Sequence, residues 1–300
     1  MTDQPLDVLF EGGSFFEGPR WRDDQWWVSD FYRHAVFMIS PAGEPDQVLD
    51  VPGQPSGLGW MPDGSLLVVS MTDRRVLRRH SGGTVSEHAD LTDQSRGHLN
   101  DMVVDREGRA FVGDFGFDLM GGADPKPASL KRVDPDGSVT VVADDLLFPN
   151  GSVITPDGST LIVGETMGSR YTAFTIGSDG SLADRRVWAQ LDESPELGSL
   201  GETLAKVRIG PDGCALDAAG HIWAADAFGG RAVRIAPGGA IVDEVRAPEG
   251  LGVYACMLGG ADGRTLLLCV APDFLEHNRR DARDARLLTT EVEVPHAGLP

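Results

Sequence analysis

The sequence predicts an all-β protein, a six-bladed β-propeller with four-stranded antiparallel blades forming one domain over residues 1–300, on three observations. Six segments align without gaps at their starts, a turn glycine recurs at one offset in five of them, and a third and often a fourth strand follow each. Successive turn glycines are about 43 to 62 residues apart, a period that marks propeller blades. Stacked sandwiches have no reason to repeat one unit in register.

The repeats open at EGPRWRDDQWWVSD (Glu17), SGLGWMPDGSLLVVS (Ser56), NDMVVDREGRAFVGD (Asn100), NGSVITPDGSTLIVGE (Asn150), DGCALDAAGHIWAAD (Asp212) and ACMLGGADGRTLLLCVA (Ala255). Gly64, Gly108, Gly158, Gly220 and Gly263 fall eight positions later, where PDG, REG, AAG and ADG between apolar runs read as hairpin turns; Gln25 takes that place in the first repeat. The third and fourth strands follow, as in RVLRRHSGGTVSEHA and SLKRVDPDGSVTVVA. DVLFEG near the N-terminus is expected to pair near TTEVEV and close the ring, which removes open sheet edges. DESPELGSLGETLAKV, ahead of the fifth repeat, is the best candidate for a helical turn or a lid.

Composition excludes several classes. Hydrophobic residues at 41% and charged residues at 24% suit a globular chain with a large core. The formal charge of −20 is spread along the chain, an acidic surface that repels nucleic acid and anionic membranes. No basic segment followed by an apolar run opens the chain and no apolar window is long enough to span a bilayer, so a cytoplasmic protein is expected, a monomer or small homo-oligomer acting on a small molecule. Cys214, Cys256 and Cys269 have no CxxC spacing and read as small buried residues. No phosphate-binding glycine loop and no GxSxG elbow appears.

In a propeller the first strand of each blade lines the central channel, so Glu17, Ser56, Asn100, Asn150, Asp212 and Ala255 occupy equivalent places around one axis. Asn and Asp before Gly are common at turns for conformational reasons alone. Glu is not, and four carboxylate or amide side chains at one repeat position point to a site. Oxygen donors without thiolate or imidazole suit a hard cation such as Ca2+.

At these residues the chain resembles the SMP-30/gluconolactonase/LRE (regucalcin-like) family of six-bladed propellers, through EGPRW at 17–21, LNDMVVDREGRAFVG at 99–113, FPNGSVITPDG at 148–158 and PDGCALDAAGHIWAAD at 211–226. The resemblance implies that Glu17, Asn150 and Asp212 bind one divalent cation, Ca2+ first, with Zn2+, Mn2+ or Fe2+ serving in some members. It implies that Asn100 contacts substrate or completes the metal shell, and that Asp212 doubles as general base in opening a lactone or other cyclic ester. Where sugar lactonases of the family carry Arg and Glu facing substrate, this chain has His98 and Asp118, which keeps both as substrate-binding candidates while weakening the case for a polyhydroxylated lactone.

Among the remaining residues, Asp30, Asp114, Glu165 and Asp226 recur at the ends of second strands and are expected to cap turns or pair with arginines, with Asp114 the candidate exception because it leads into FGFDLMGG. Phe115, Phe117 and Phe148 flank channel positions and could shape an apolar pocket. The competing functions are a non-catalytic propeller stabilised by the metal, an organophosphate hydrolase, and a non-hydrolytic enzyme using the same channel, since fold does not fix function.

Overall fold

The computed structural model describes residues 5–298; residues 1–4 and 299–300, and with them the start and end of the N- and C-terminal sequence readings, lie outside the described residues. Six four-stranded antiparallel sheets follow one another along the chain. Their innermost strands are Phe16–Arg22, Pro55–Trp60, Leu99–Val104, Pro149–Ile154, Pro211–Leu216 and Gly252–Gly259. Each of these contacts the innermost strand of the blade on either side, the last touching the first, so the sheets close into a ring.

Closure is made by the chain ends, as the sequence indicates. Strand Asp7–Gly13 pairs antiparallel with Ala285–Glu291 and supplies the outer edge of blade 6, with Asp7 opposite Thr289 and Gly13 opposite Ala285. The sixth sheet is therefore completed, and its outer edge covered, only when both ends of the chain meet.

The hairpin glycines do what their spacing implies. Gly64, Gly108, Gly158, Gly220 and Gly263 all have positive φ, which a Cβ would penalise. In the PDG and ADG turns the preceding aspartate accepts from the N–H two residues on, as Asp63 does from Ser65 at 3.0 Å and Asp157 from Ser159 at 3.0 Å. Leu200–Lys206 forms a helix with a capping box between Ser199 and Glu202, where the sequence placed a helical turn.

Large side chains fill the wedges between blades: Trp21 and Trp26 pack with ring centroids 4.7 Å apart, and Trp27 meets Trp60 edge-on across blades 1 and 2. Val28, Leu58, Leu67, Val112 and Leu267 are fully buried there. Each such aliphatic side chain contributes about 1.5–3 kcal/mol to burial. The three cysteines are free and buried, as expected.

Three of the four acids ending second strands staple the chain just before the channel residue of their blade. Asp30 accepts from the N–H groups of Ser14 and Phe15, Glu165 from Leu147, and Asp226 from Gly210. Arginines add to two of these, Arg170 to Glu165 and Arg231 to Asp226. Asp114 differs in partner: it pairs with the fully buried Lys131.

Candidate functional site

The channel residues are aimed by a defect repeated in every blade. Between the first and second strands the register slips at Glu17/Arg20, Pro55/Leu58, Leu99/Met102, Pro149/Ser152, Pro211/Cys214 and Val253/Ala255. A bulge leaves a residue unpaired and turns its side chain away from the pleat, here at the place that faces the axis.

The glycine that follows four of the six channel residues is not turn punctuation, because it lies inside a strand. Neighbouring inner strands converge there too closely for a side chain: a Cβ on Gly151 would sit 2.3 Å from the Asp212 carbonyl oxygen, and one on Gly57 2.3 Å from the Met102 nitrogen. Gly18 and Gly213 meet the next blade in the same way. This explains the recurring Glu-Gly, Ser-Gly, Asn-Gly and Asp-Gly pairs.

These contacts also correct the sixth channel position. Gly151 meets Asp212 and Gly213, and Gly213 in turn meets Tyr254 and Ala255, so Tyr254 stands where Asp212 stands in the blade before and Ala255 matches the glycine. The inner strand of blade 6 spans eight residues, against six in blades 2 to 5, so counting back from Gly263 stops one residue short.

Glu17, Asn100, Asn150 and Asp212 line one cup of about 80 Å3, together with Thr166. His98 and Asp118 are not among its lining side chains. Asp118 is exposed and accepts from the Gly121 N–H at 2.9 Å, fixing a loop turn. His98 packs against Phe115 with the rings tilted and their centroids 5.8 Å apart, and burial pulls its pKa below the ordinary value against the opposing effect of Asp118 and Glu276. Neither side chain joins the lining of the cup: Asp118 holds a loop turn through one oxygen, and His98 packs against Phe115.

The electrostatics of the cup floor are unbalanced. Burial, then Asp212 and Asp101, push the Glu17 carboxyl well above the usual carboxylate range, against the Gly18 N–H and Arg20. Burial and Asp101 do the same to Asp212, with the Asn150 amide and the Gly213 N–H pulling the other way. Arg20 is the buried cation nearby, but it donates to Asp101 at 2.9 Å and to the carbonyls of Pro19, Leu58 and Met102. Glu17 and Asp212 have no salt-bridge partner among the described residues.

The amides turn their oxygens free. Asn100 Nδ2 donates one N–H to the Pro149 carbonyl at 3.2 Å, which fixes the orientation of the amide. Asn150 Nδ2 donates to Thr166 Oγ1 at 3.1 Å, and Thr166 donates to the Pro211 carbonyl at 2.8 Å. Among the described residues no group of three or more His, Cys, Asp and Glu side chains could hold a metal ion; the donor set here is two carboxylates and two amides. Two buried acids without a salt-bridge partner among the described residues, beside two amides held in place by their nitrogens, fit a hard divalent cation.

The sequence did not reveal Thr166, which follows a second strand rather than opening a first. It also missed most of the apolar wall: Phe31, Phe228 and Phe274 reach the cup from loops, and Leu204 from the helix Leu200–Lys206. Phe115 and Phe148 were legible, and they stack at 4.6 Å with an interplanar angle of 15°. Phe117 packs edge-on against Phe148 from behind.

Residues 15–271 match the model of the SMP-30/gluconolactonase/LRE-like region. The chain is 27% identical to a 6-deoxy-6-sulfogluconolactonase of Pseudomonas putida, over 84% of this chain and 81% of that protein. It is 29% identical to a pentonolactonase of Haloferax volcanii, over 85% and 81%. Among solved structures, a calcium-binding regucalcin of Agrobacterium tumefaciens superposes with a TM-score of 0.77 at 20% identity, over 99% of this chain and 97% of that one, a likeness of fold.

Proposed function

The chain belongs to the SMP-30/gluconolactonase/LRE-like family, and we propose that it is a hydrolase that opens a lactone, working with one divalent cation, Ca2+ first, held by Glu17, Asn150 and Asp212 with Asn100 beside them. The observation that carries this reading is the pair of buried, uncompensated carboxylates, Glu17 and Asp212, at the floor of a single cup. Lactonases among the relatives support the reaction class.

A bound divalent cation supplies Lewis-acid polarisation of the ester carbonyl and acidifies water. The protein's own groups do the rest. Water adds to the carbonyl carbon and gives its proton to an Asp212 carboxylate oxygen; the ring C–O bond breaks, and that proton passes to the departing alkoxide, leaving a hydroxy acid. Asn150 is held in orientation by Thr166, and Asn100 by the Pro149 carbonyl, so neither amide must reorganise as charge develops. The phenylalanine wall excludes bulk water and strengthens every charge interaction at the floor.

The test is hydrolysis of a panel of γ- and δ-lactones by purified protein, before and after chelation, beside Glu17→Gln. The expected result is turnover that chelator abolishes, a divalent cation restores and Glu17→Gln lacks. Turnover indifferent to chelation and to Glu17→Gln would remove the cation from the mechanism.

A further inference from the structure

We infer that the cup selects a lactone whose ring carries an apolar alkyl or aryl substituent in place of hydroxyl groups, an inference that rests on the lactonase reading above.

Two aromatic walls face one another across the axis. Blades 1 and 6 contribute Phe15 and Tyr254, whose rings lie 4.8 Å apart, with Phe274 edge-on to Tyr254. Blades 3 and 4, on the opposite side of a six-fold ring, contribute the parallel pair Phe115 and Phe148. A substituent standing on the ester at the floor is held between two ring clusters, and met by Met120.

Among the described residues no arginine, lysine or histidine lines this cup, so a phosphorylated or sulfonated substituent finds no cationic side chain there. Polar partners at the floor are few: Asn100 and Asn150 each spend an N–H within the protein and the two carboxylates serve the cation, which leaves the Tyr254 hydroxyl and the remaining amide N–H groups to meet a substrate. Several sugar hydroxyls entering the cup lose water without regaining enough partners, each unpaired hydroxyl lowering affinity by about tenfold. Each methylene buried against the walls raises it by about fourfold.

The backbone supports the wall at a local cost. Phe148 has φ +62°, a conformation that a bulky side chain rarely adopts. Gln54, at the same place in blade 2, has φ +65°, so the entry geometry belongs to the fold, yet blade 4 fills the place with a phenyl ring turned into the cup. Such strain persists where the surroundings hold it, commonly at ligand sites.

The experiment compares kcat/KM for δ-decalactone and D-glucono-δ-lactone, which share a six-membered ester ring, each divided by its spontaneous hydroxide rate, with cation-loaded protein. The expected ratio favours the apolar lactone by at least about tenfold. Phe148→Gly, which opens the wall and relaxes its φ, narrows that ratio at least about fivefold, and so does Phe228→Ser, a change at a 41% exposed side chain of the cup that folding tolerates. A ratio at or below one, or variants that leave it unmoved while melting normally, overturns the inference and leaves the lactonase reading standing. If neither lactone is turned over, the lactonase reading fails, and binding of the two matching lactams decides the selectivity: tighter binding of the apolar lactam keeps it, equal or weaker binding overturns it.

Discussion

The Asn150 amide nitrogen donates to the Thr166 hydroxyl at 3.1 Å, and that hydroxyl donates to the carbonyl of Pro211, the residue before Asp212. One threonine thus fixes which end of Asn150 is free and ties blade 4 to blade 5 beside an acid of the cup. Thr166→Val keeps the volume and removes both bonds. We expect it to weaken cation binding about 10- to 100-fold, the usual effect of losing a group that orients a ligand, while the melting temperature falls only modestly. Asn150→Ala should abolish binding outright. Calorimetric titration with Ca2+ separates the two, and wild-type affinity in Thr166→Val would show that the amide needs no orienting.

The raised carboxyls of Glu17 and Asp212 make a pH prediction whose sign can be worked out. Their folded pKa values lie above the unfolded ones, so the folded cation-free protein binds more protons between the ordinary carboxyl range and the raised values. Their contribution to stability is present below the unfolded pKa values and lost as pH rises through the folded ones. Lowering the pH from neutrality into that window should therefore raise the melting temperature of chelated wild type relative to Glu17→Gln, by about 2–4 °C for each kcal/mol recovered. Cation binding needs both groups deprotonated, so affinity should fall over the same window. Parallel melting curves for the two proteins across pH would refute the uncompensated pair.

Gly151→Ala tests why glycine follows the channel residue. Its φ is not positive, so backbone freedom is no argument here; the clash is steric, with a Cβ 2.3 Å from the Asp212 carbonyl oxygen and 2.8 Å from the Cys214 nitrogen. Backbone atoms cannot swing aside as a side chain can. Blades 4 and 5 must separate, costing about 1–3 kcal/mol as overpacking does, and Asp212 moves with them, so cation affinity should drop together with stability. Chemical denaturation and a Ca2+ titration check the pair of effects. Gly158→Ala, with open space around its Cβ but φ +74°, should lose stability alone.

How much of this was legible follows from where each residue sits relative to the repeat. Asn100, Asn150 and Asp212 stand at a fixed offset from a hairpin glycine that is written in the sequence, and Glu17 follows from aligning its segment with theirs although Gln25 replaces the glycine there. Tyr254 was missed by one place because blade 6 has a longer inner strand. The glycines beside the channel residues were visible but misread, since the close approach that demands them is between strands about 40 to 60 residues apart in sequence. Phe228, Phe274 and Leu204 had no repeat to betray them: they lie in connections between strands and blades, and their meeting depends on how those connections fold over the channel. His98 and Asp118 were placed by likeness of position alone, and loop 115–127 carries Asp118 out to solvent.

Asp114 and Lys131 offer a control in which stability and site should separate. Lys131 is fully buried, donates to Asp114 and to the Ser129 carbonyl, and has its pKa drawn down by burial against the pull of Asp114. Asp114 keeps one oxygen, Oδ1, without a partner. Replacing the lysine alone leaves a buried charge uncompensated, so Lys131→Met should cost about 3–5 kcal/mol. Replacing both, as Asp114→Leu with Lys131→Met, removes the charge as well and should recover most of that loss, because an apolar pair of similar volume repays no desolvation penalty. Neither residue lines the cup, so cation affinity in the double variant should stay within about twofold of wild type, a margin of roughly 0.4 kcal/mol. Urea denaturation of the two singles and the double gives the coupling energy directly. Additive losses would mean that the pair does not act as a unit, and a lost cation site in the double variant would place Asp114 in the cup's support after all.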